Sequence, residues 1–361
     1  MTPKYLVTLW DIAAADRSRN NVRAIIPDAR DIGVSAYAND GGEMFFTLPW
    51  NHPQIAECQP WLRHYEVKRW NANTGAYTVV GVGLLDDFEA TADEVVVYGR
   101  DYLSLFNSSI SGSNTSYTST EIGTIMQAQL SAAIFQPSYT TKSVTRHITL
   151  GTIQSTGQTV TVLTSYQGRL DFCRQLIDIW QSDSSVRPIL SVTRTAPFTV
   201  SFQSNAGSDK QAFRFTFGGL VNDFRYDPGY SDLATRLYGI GQKREGATVL
   251  FSNQEYASET TYGIIQRPQV FIDIVDQTAL DRKVKRAARD AGTVGKNVAL
   301  GLRINQVGPW EWGEFGDSVP ISITRGALVS VSGLYTVWGQ EWIGKANGSE
   351  DLFLSLLPKE T

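Results

Sequence analysis

The sequence predicts a mainly β protein with some α (α+β), and three observations carry that expectation. Apolar and polar residues alternate with a period of two through much of the chain, the signature of sheets with one buried face. Three longer segments switch to the helical period. One run of small polar residues, 107–120, contains only Ser, Thr, Asn and Gly apart from Ile110 and Tyr117, and reads as an exposed linker or long loop.

The alternation is explicit in four places. Phe198, Val200 and Phe202 share one strand face, as do Phe213, Phe215 and Phe217. Val298, Leu300, Leu302 and Ile304 form another set, and Leu352, Leu354 and Leu356 the last. Shorter strands are expected at 77–84, 94–98, 159–164, 233–238 and 319–324, and a hairpin around Thr195-Ala196-Pro197. A helix over 121–133 would place Ile122, Ile125, Met126 and Leu130 on one face, with Thr118 and Glu121 as its capping box. A second, over 170–181, stacks Leu170, Cys173, Ile177 and Trp180. A third, over 278–291, turns Leu280, Val284, Ala287 and Ala288 inward. Its remaining surface carries Arg282, Lys283, Lys285, Arg286 and Arg289, which reads as a solvated face or, alternatively, a basic contact surface.

At 361 residues the chain exceeds one ordinary core. The expected division is a first tube-like β-barrel domain (1–106), the linker or loop (107–120), an intervening α+β domain (121–211) and a second β-barrel domain (212–361) with a helix near 278–291. An internal echo supports two barrels on one plan. Gly83-Leu84-Leu85-Asp86-Asp87-Phe88 precedes a strand ending Val97-Tyr98-Gly99. Gly219-Leu220-Val221-Asn222-Asp223-Phe224 likewise precedes one ending Leu237-Tyr238-Gly239. Both copies read as a strand, a polar turn and a returning strand.

Hydrophobic residues make up 42% and charged residues 19%, a globular composition. A net charge of −4 gives no reason to expect a nucleic-acid surface, which usually needs clustered Lys and Arg, and there is no polybasic tract for anionic lipid. The N-terminus enters strand-like sequence without signal-peptide character, and no apolar run would span a bilayer. No membrane insertion is therefore expected, and assembly in a cytoplasm is.

Chemistry is sparse. Two cysteines, Cys58 and Cys173, exclude a disulfide framework, and Cys173 reads as a core residue. His52, His64 and His147 show no metal-ligand spacing. There is no Gly-x-Ser-x-Gly elbow, and Gly239-Ile240-Gly241 lacks the rest of a dinucleotide cradle. No catalytic residue, cofactor or metal is expected. Acids at Asp86/Asp87 and at Glu311, Glu314 and Asp317 could be fitted to a glycosidase, yet the first pair reads as turn residues and the second set as a loop. Among nine tryptophans, Trp310 and Trp312 are the candidates for a glycan or interface contact.

The order of several segments resembles the tail-tip or baseplate hub proteins of long-tailed bacteriophages, often called minor tail proteins. Phe45-Phe46-Thr47-Leu48-Pro49, Gln59-Pro60-Trp61-Leu62 and His64-Tyr65-Glu66-Val67-Lys68-Arg69-Trp70 come first. Gly83-Leu84 and Val95-Val96-Val97-Tyr98-Gly99-Arg100-Asp101-Tyr102-Leu103 follow. Last come Tyr262-Gly263, the helix at 278–291, Gly316-Asp317-Ser318-Val319, Trp338-Gly339 and Leu352–Leu356. The resemblance implies a non-enzymatic virion protein at the tail tip. It implies a homotrimer whose two barrels per chain make a pseudo-sixfold ring, passing DNA through its lumen without specific binding. Its neighbours would be the distal tail ring protein, the tape measure protein and a central fibre or needle. A carbohydrate-binding recognition module and a cell-wall glycoside hydrolase remain the alternatives.

Overall fold

The computed structural model describes residues 4–71, 74–111, 115–135, 143–164, 166–181, 187–204, 206–210, 214–219, 221–227, 230–241, 250–271, 274, 276–293, 297–302, 315–326 and 329–359. The N-terminal part is built of strands, with short 3₁₀ turns at Ile55–Glu57 and Ser104–Ser108: β1 (Tyr5–Ile12), β2 (Arg19–Ile26), β3 (Arg30–Tyr37), β4 (Glu43–Pro49), β5 (Arg63–Asn71), β6 (Ala76–Ala90) and β7 (Glu94–Asp101). A mixed region follows with β8 (Ser116–Glu121), α1 (Ile122–Ile134), β9 (Thr149–Ile153), β10 (Thr159–Leu163), α2 (Arg169–Trp180), β11 (Ile189–Val192) and β12 (Thr199–Gln203). Next come β13 (Phe215–Thr216), β14 (Val221–Asp227), β15 (Arg236–Gly241), β16 (Phe251–Glu255), α3 (Glu259–Tyr262), β17 (Gln266–Phe271) and α4 (Gln277–Gly292). The chain closes with β18 (Asn297–Leu302), β19 (Ser318–Arg325), β20 (Val329–Gly344) and β21 (Glu350–Pro358). The α+β expectation holds, with strands dominant.

The largest sheet draws on both ends of the chain, in the order β14-β18-β21-β20-β3-β4-β7-β6-β5-β1-β2, with β19 and then β13 branching from β20. The long strand β20 makes this possible. Its residues 329–336 pair with β19, and Gly339–Gly344 pair with Ile32–Tyr37 of β3. Gly339 sits at a bulge, and a Cβ there would come within 2.5 Å of the Tyr37 ring, so only glycine lets the strands approach. One apolar core runs beneath both halves, from Val7, Phe46 and Val67 to Leu300, Val337, Trp342 and Leu354.

The closed barrels expected from the sequence are corrected to a sheet that stays open among the described residues. Three residues lead from β2 into β3, but β3 already pairs with β4 on one edge and β20 on the other, so no edge is left for β2. Among the described residues β2 pairs with β1 alone, and only a single bridge, Phe217 to Val221, links the ends of β13 and β14.

A second core gathers α1, α2, α4 and the strands β10 and β12 against Val82, Leu84 and the Tyr102–Phe106 segment of the N-terminal part. The small sheets β11-β12-β9 and β16-β15-β17 belong to this side of the molecule. The hairpin expected at Thr195-Ala196-Pro197 is present as β11–β12, with a cis Ala196-Pro197 bond.

Four local readings change. Ser116–Glu121 of the polar run is strand β8, paired with β10, because its threonines and tyrosine suit a ladder edge. The capping box is replaced by Glu121 itself, whose carboxylate accepts from Thr124 N at 2.8 Å and from Thr156 N at 2.7 Å. The strand expected at 233–238 begins three residues later, after a short 3₁₀ turn at Tyr230–Asp232. Finally, the echo is local: β6 returns through β7, whereas β14 pairs with β18 and the Leu237-Tyr238-Gly239 strand lies in another sheet. What the copies share is a β-bulge at which Asp87 and Asp223 each accept from the next backbone N–H, of Phe88 and Phe224, at 2.8 Å. Asp86 and Asp87 therefore lie inside a strand, not in a turn. Phe213 and Ile304 lie outside the described residues.

Candidate interaction surfaces

Trp310 and Trp312, the two contact residues singled out from the sequence, lie outside the described residues, as do Glu311 and Glu314. Of the other tryptophans, Trp180 and Trp342 are buried, and Trp10, Trp70 and Trp338 are half-buried. Trp50 and Trp61 are exposed. Both sit on the β4–β5 connection, which lies along the β6–β7 hairpin. Trp50 Nε1 donates to the Thr91 carbonyl at 2.7 Å, and Trp61 N donates to that of Leu85 at 2.7 Å. The Arg100 guanidinium lies 5.1 Å from the Trp61 ring centre and pairs with Asp86. Leu62, Phe88 and Tyr98 are exposed on the same part of the chain, with Phe88 and Tyr98 on opposite faces of the β6–β7 hairpin. The sequence signal was present, since Trp50 follows Pro49 and Trp61 follows Pro60 in a loop, but exposure is not readable from a loop's composition.

The carboxylates are engaged structurally. Asp86 pairs with Arg100, and Asp87 closes its bulge. Asp317 is buried and accepts from Ser208 N at 2.8 Å, tying the 206–210 segment to β19. Glu350 carries a buried ionic cluster, meeting Lys4 at 3.0 Å, Arg69 at 2.9 Å and the Tyr5 hydroxyl. Burial would raise its carboxyl, but the Arg69, Tyr5 and Lys4 contacts outweigh that and lower it. The thiols of Cys58 and Cys173 are buried, and burial pushes both up to about 12, which suits packing and not nucleophilic chemistry. No cluster of three or more His, Cys, Asp or Glu suited to a metal occurs among the described residues. Part of the basic run of α4 is engaged within the molecule, and Lys285 is exposed. Lys283 pairs with Asp178 of α2, and Arg289 donates to the Gln181 carbonyl at 2.7 Å.

Sequence reasoning missed a histidine pair, one ring buried and the other half-buried with both its nitrogens shielded. His64 of β5 and His147, which precedes β9, bring their ring centres to 4.7 Å. Tyr102 and Phe198 stack edge-on around them, with Tyr102 4.6 Å from each of His147 and Phe198. Arg19 reaches in from β2, pairing with Glu66 at 2.7 Å and lying 4.7 Å from the Phe198 ring centre. No spacing rule could find this pair, because it is made where two cores meet.

No protein-family model matches the sequence, and no curated protein matches it. Solved structures match along its full length. The prophage MuSo2 43 kDa tail protein from Shewanella oneidensis is 10% identical with a TM-score of 0.63, over 98% of each chain. A tail protein from Neisseria meningitidis MC58 is 10% identical with a TM-score of 0.60, over 98% of this chain and 96% of that one. The prophage tail protein gp18 from Listeria monocytogenes EGD-e is 13% identical with a TM-score of 0.54, over 98% and 95%. The chain thus has the fold of phage tail proteins, and the resemblance expected from the sequence is met at that level.

Proposed function

We propose that this chain is a structural virion protein forming the ring-shaped hub at the tip of a long-tailed phage tail. In this reading three copies assemble head to tail, each presenting two different sides that must complement one another. The ring joins the tail tube to a central fibre or needle and contacts the distal tail ring protein and the tape measure protein. It is assembled in the host cytoplasm, and DNA leaves through its lumen. The observation that carries the reading is one large sheet drawn from both ends of the chain and continuous across β3 and β20, within a fold shared at full length with phage tail proteins. Segments 1–106 and 212–361 are the tube-like parts, with 121–211 between them. The packing adds that β15–β17 and α4 rest on the helical core. Gold-labelled antibody against the chain should mark the tail tip of intact virions; label along the tube or on the head would contradict the assignment.

The lumen should present few Lys or Arg side chains, since these bind phosphates by releasing counterions. An assembled ring lined with either would overturn that part of the reading. A glycan-recognition role keeps one specific support, the exposed Trp50 and Trp61. Binding to host cell-wall glycans that is lost in the double variant Trp50→Ala with Trp61→Ala, or in Trp310→Ala with Trp312→Ala, would establish it. The proposed role is not enzymatic, and cell-wall zymography showing lysis abolished by Glu311→Gln would refute this.

A further inference from the structure

We infer that the His64–His147 contact is an acid-labile joint between the N-terminal strands and the helical region, closed while both rings are neutral and opened by their protonation. The hydrogen bonds around His64 settle its neutral form. Arg19 Nε donates to the Tyr102 hydroxyl at 3.2 Å, which leaves that hydroxyl to donate to His64 Nδ1 at 3.0 Å. His64 Nε2 must then carry the proton, which it donates to the Arg17 carbonyl at 2.7 Å. Both nitrogens are used, and a second proton on Nδ1 would reverse the bond to Tyr102, whose hydroxyl would have to turn its hydrogen elsewhere and accept from both Arg19 and His64.

His147 is placed differently. Neither of its ring nitrogens makes a well-formed hydrogen bond, and both are buried. It draws only weak support from the Val144 backbone. Each charged group facing the pair is a cation or is already matched. Arg17 and Arg19 approach from the β1–β2 side, and Glu66 of β5 is held by Arg19 and by Lys68. Phe198 and Tyr102 supply rings and no counter-ion. A proton added to either histidine therefore becomes an unmatched buried charge beside like charges. Burial, with the two arginines adding to it, brings His64 down to about 4, and burial with the His64 and arginine charges holds His147 well below the ordinary histidine range.

The sign follows. Both groups titrate lower in the closed joint than in the open one, where they protonate near 6.5. The joint is fully stable above that value and loses stability as pH falls towards 4. Two linked protons raise the opening constant by up to ~100-fold per pH unit, and one proton by ~10-fold. Asp101 acts in the opposite sense: burial raises its carboxyl to about 6, against the hydrogen bonds from Ser104 and Gly42. It is common to wild type and variants and cancels in their difference.

Hydrogen–deuterium exchange from pH 7.5 to 4.5, corrected for the chemical exchange rate, tests the joint on the full chain. Peptides spanning 143–153 and 196–203 should lose protection as pH falls below 6.5, while those spanning 318–325 and 350–358 hold theirs. In His147→Phe, which keeps a ring against Tyr102, the pH dependence of the first pair should weaken by ~10-fold per pH unit. His147→Leu serves if the larger ring does not fold. His52→Gln, which removes the remaining histidine, should behave as wild type. Equal loss of protection in all peptides, no change down to pH 4.5, or an unaltered pH dependence in the His147 variants would each overturn the inference.

Discussion

Where the N-terminal and C-terminal strands meet, β3 and β20 exchange backbone hydrogen bonds over one continuous apolar core. Where the same N-terminal strands meet the helical region, a second apolar core joins them, and an aromatic stack, two histidines and an arginine matched to Glu66 lie within that contact. Backbone pairing and apolar burial do not titrate, so the first joint is indifferent to pH apart from its Glu350 cluster. The second depends on protonation. A chain that must keep its sheets in register while its flanking region adjusts would be expected to divide its contacts in this way.

The largest effect should come from the core of the first joint. Trp342 is buried on β20 with the Arg69 guanidinium 5.1 Å from its ring centre, and Trp342→Ala should cost about 3–5 kcal/mol in urea unfolding. Glu350→Gln should cost about 3 kcal/mol at neutral pH, because Arg69 and Lys4 lose their shared partner in a largely buried site. Since the Glu350 carboxyl is lowered on folding, wild type should keep this advantage above the ordinary carboxyl range and lose it as pH falls through the folded value. Gly339→Ala places a methyl into the Tyr37 ring and should cost about 1–3 kcal/mol. The smallest effect belongs to the helical region. Glu121→Ala removes the cap of α1 and should cost about 1 kcal/mol, read as faster exchange in 122–134 with the sheet unaffected. If Glu121→Ala loosened the sheet as much as Trp342→Ala does, the two regions would be one cooperative unit and the contrast would fail.

The strands and helices were legible because each rests on a local period. Leu352, Leu354 and Leu356 face one way in any sheet, and Ile122, Ile125, Met126 and Leu130 face one way in any helix. Pairing partners were not legible. The Gly-Leu…Asp-Phe echo marks a real shared bulge, yet the identical local signal precedes a hairpin in one copy and a change of sheet in the other. The cap of α1 was misplaced by one motif length because Thr118 is committed to β8, leaving Glu121 to take both Thr124 and Thr156. Barrel closure failed for a reason only topology supplies, namely that β20 occupies the edge of β3 that β2 would need. Of the candidate contacts, Trp50 and Trp61 stood in plain view in the sequence, but their exposure depends on how the β4–β5 connection lies along β6 and β7. The His64–His147 pair arises from two segments that meet only after both cores form.

The measurement closest to the central claim is the mass of the purified chain in solution by light scattering, with negative-stain images of the same sample. Open-centred rings with about three times the 39.9 kDa chain mass, assembled heterologously, are expected. A species that stays monomeric at every concentration, or closes with six copies, would contradict it.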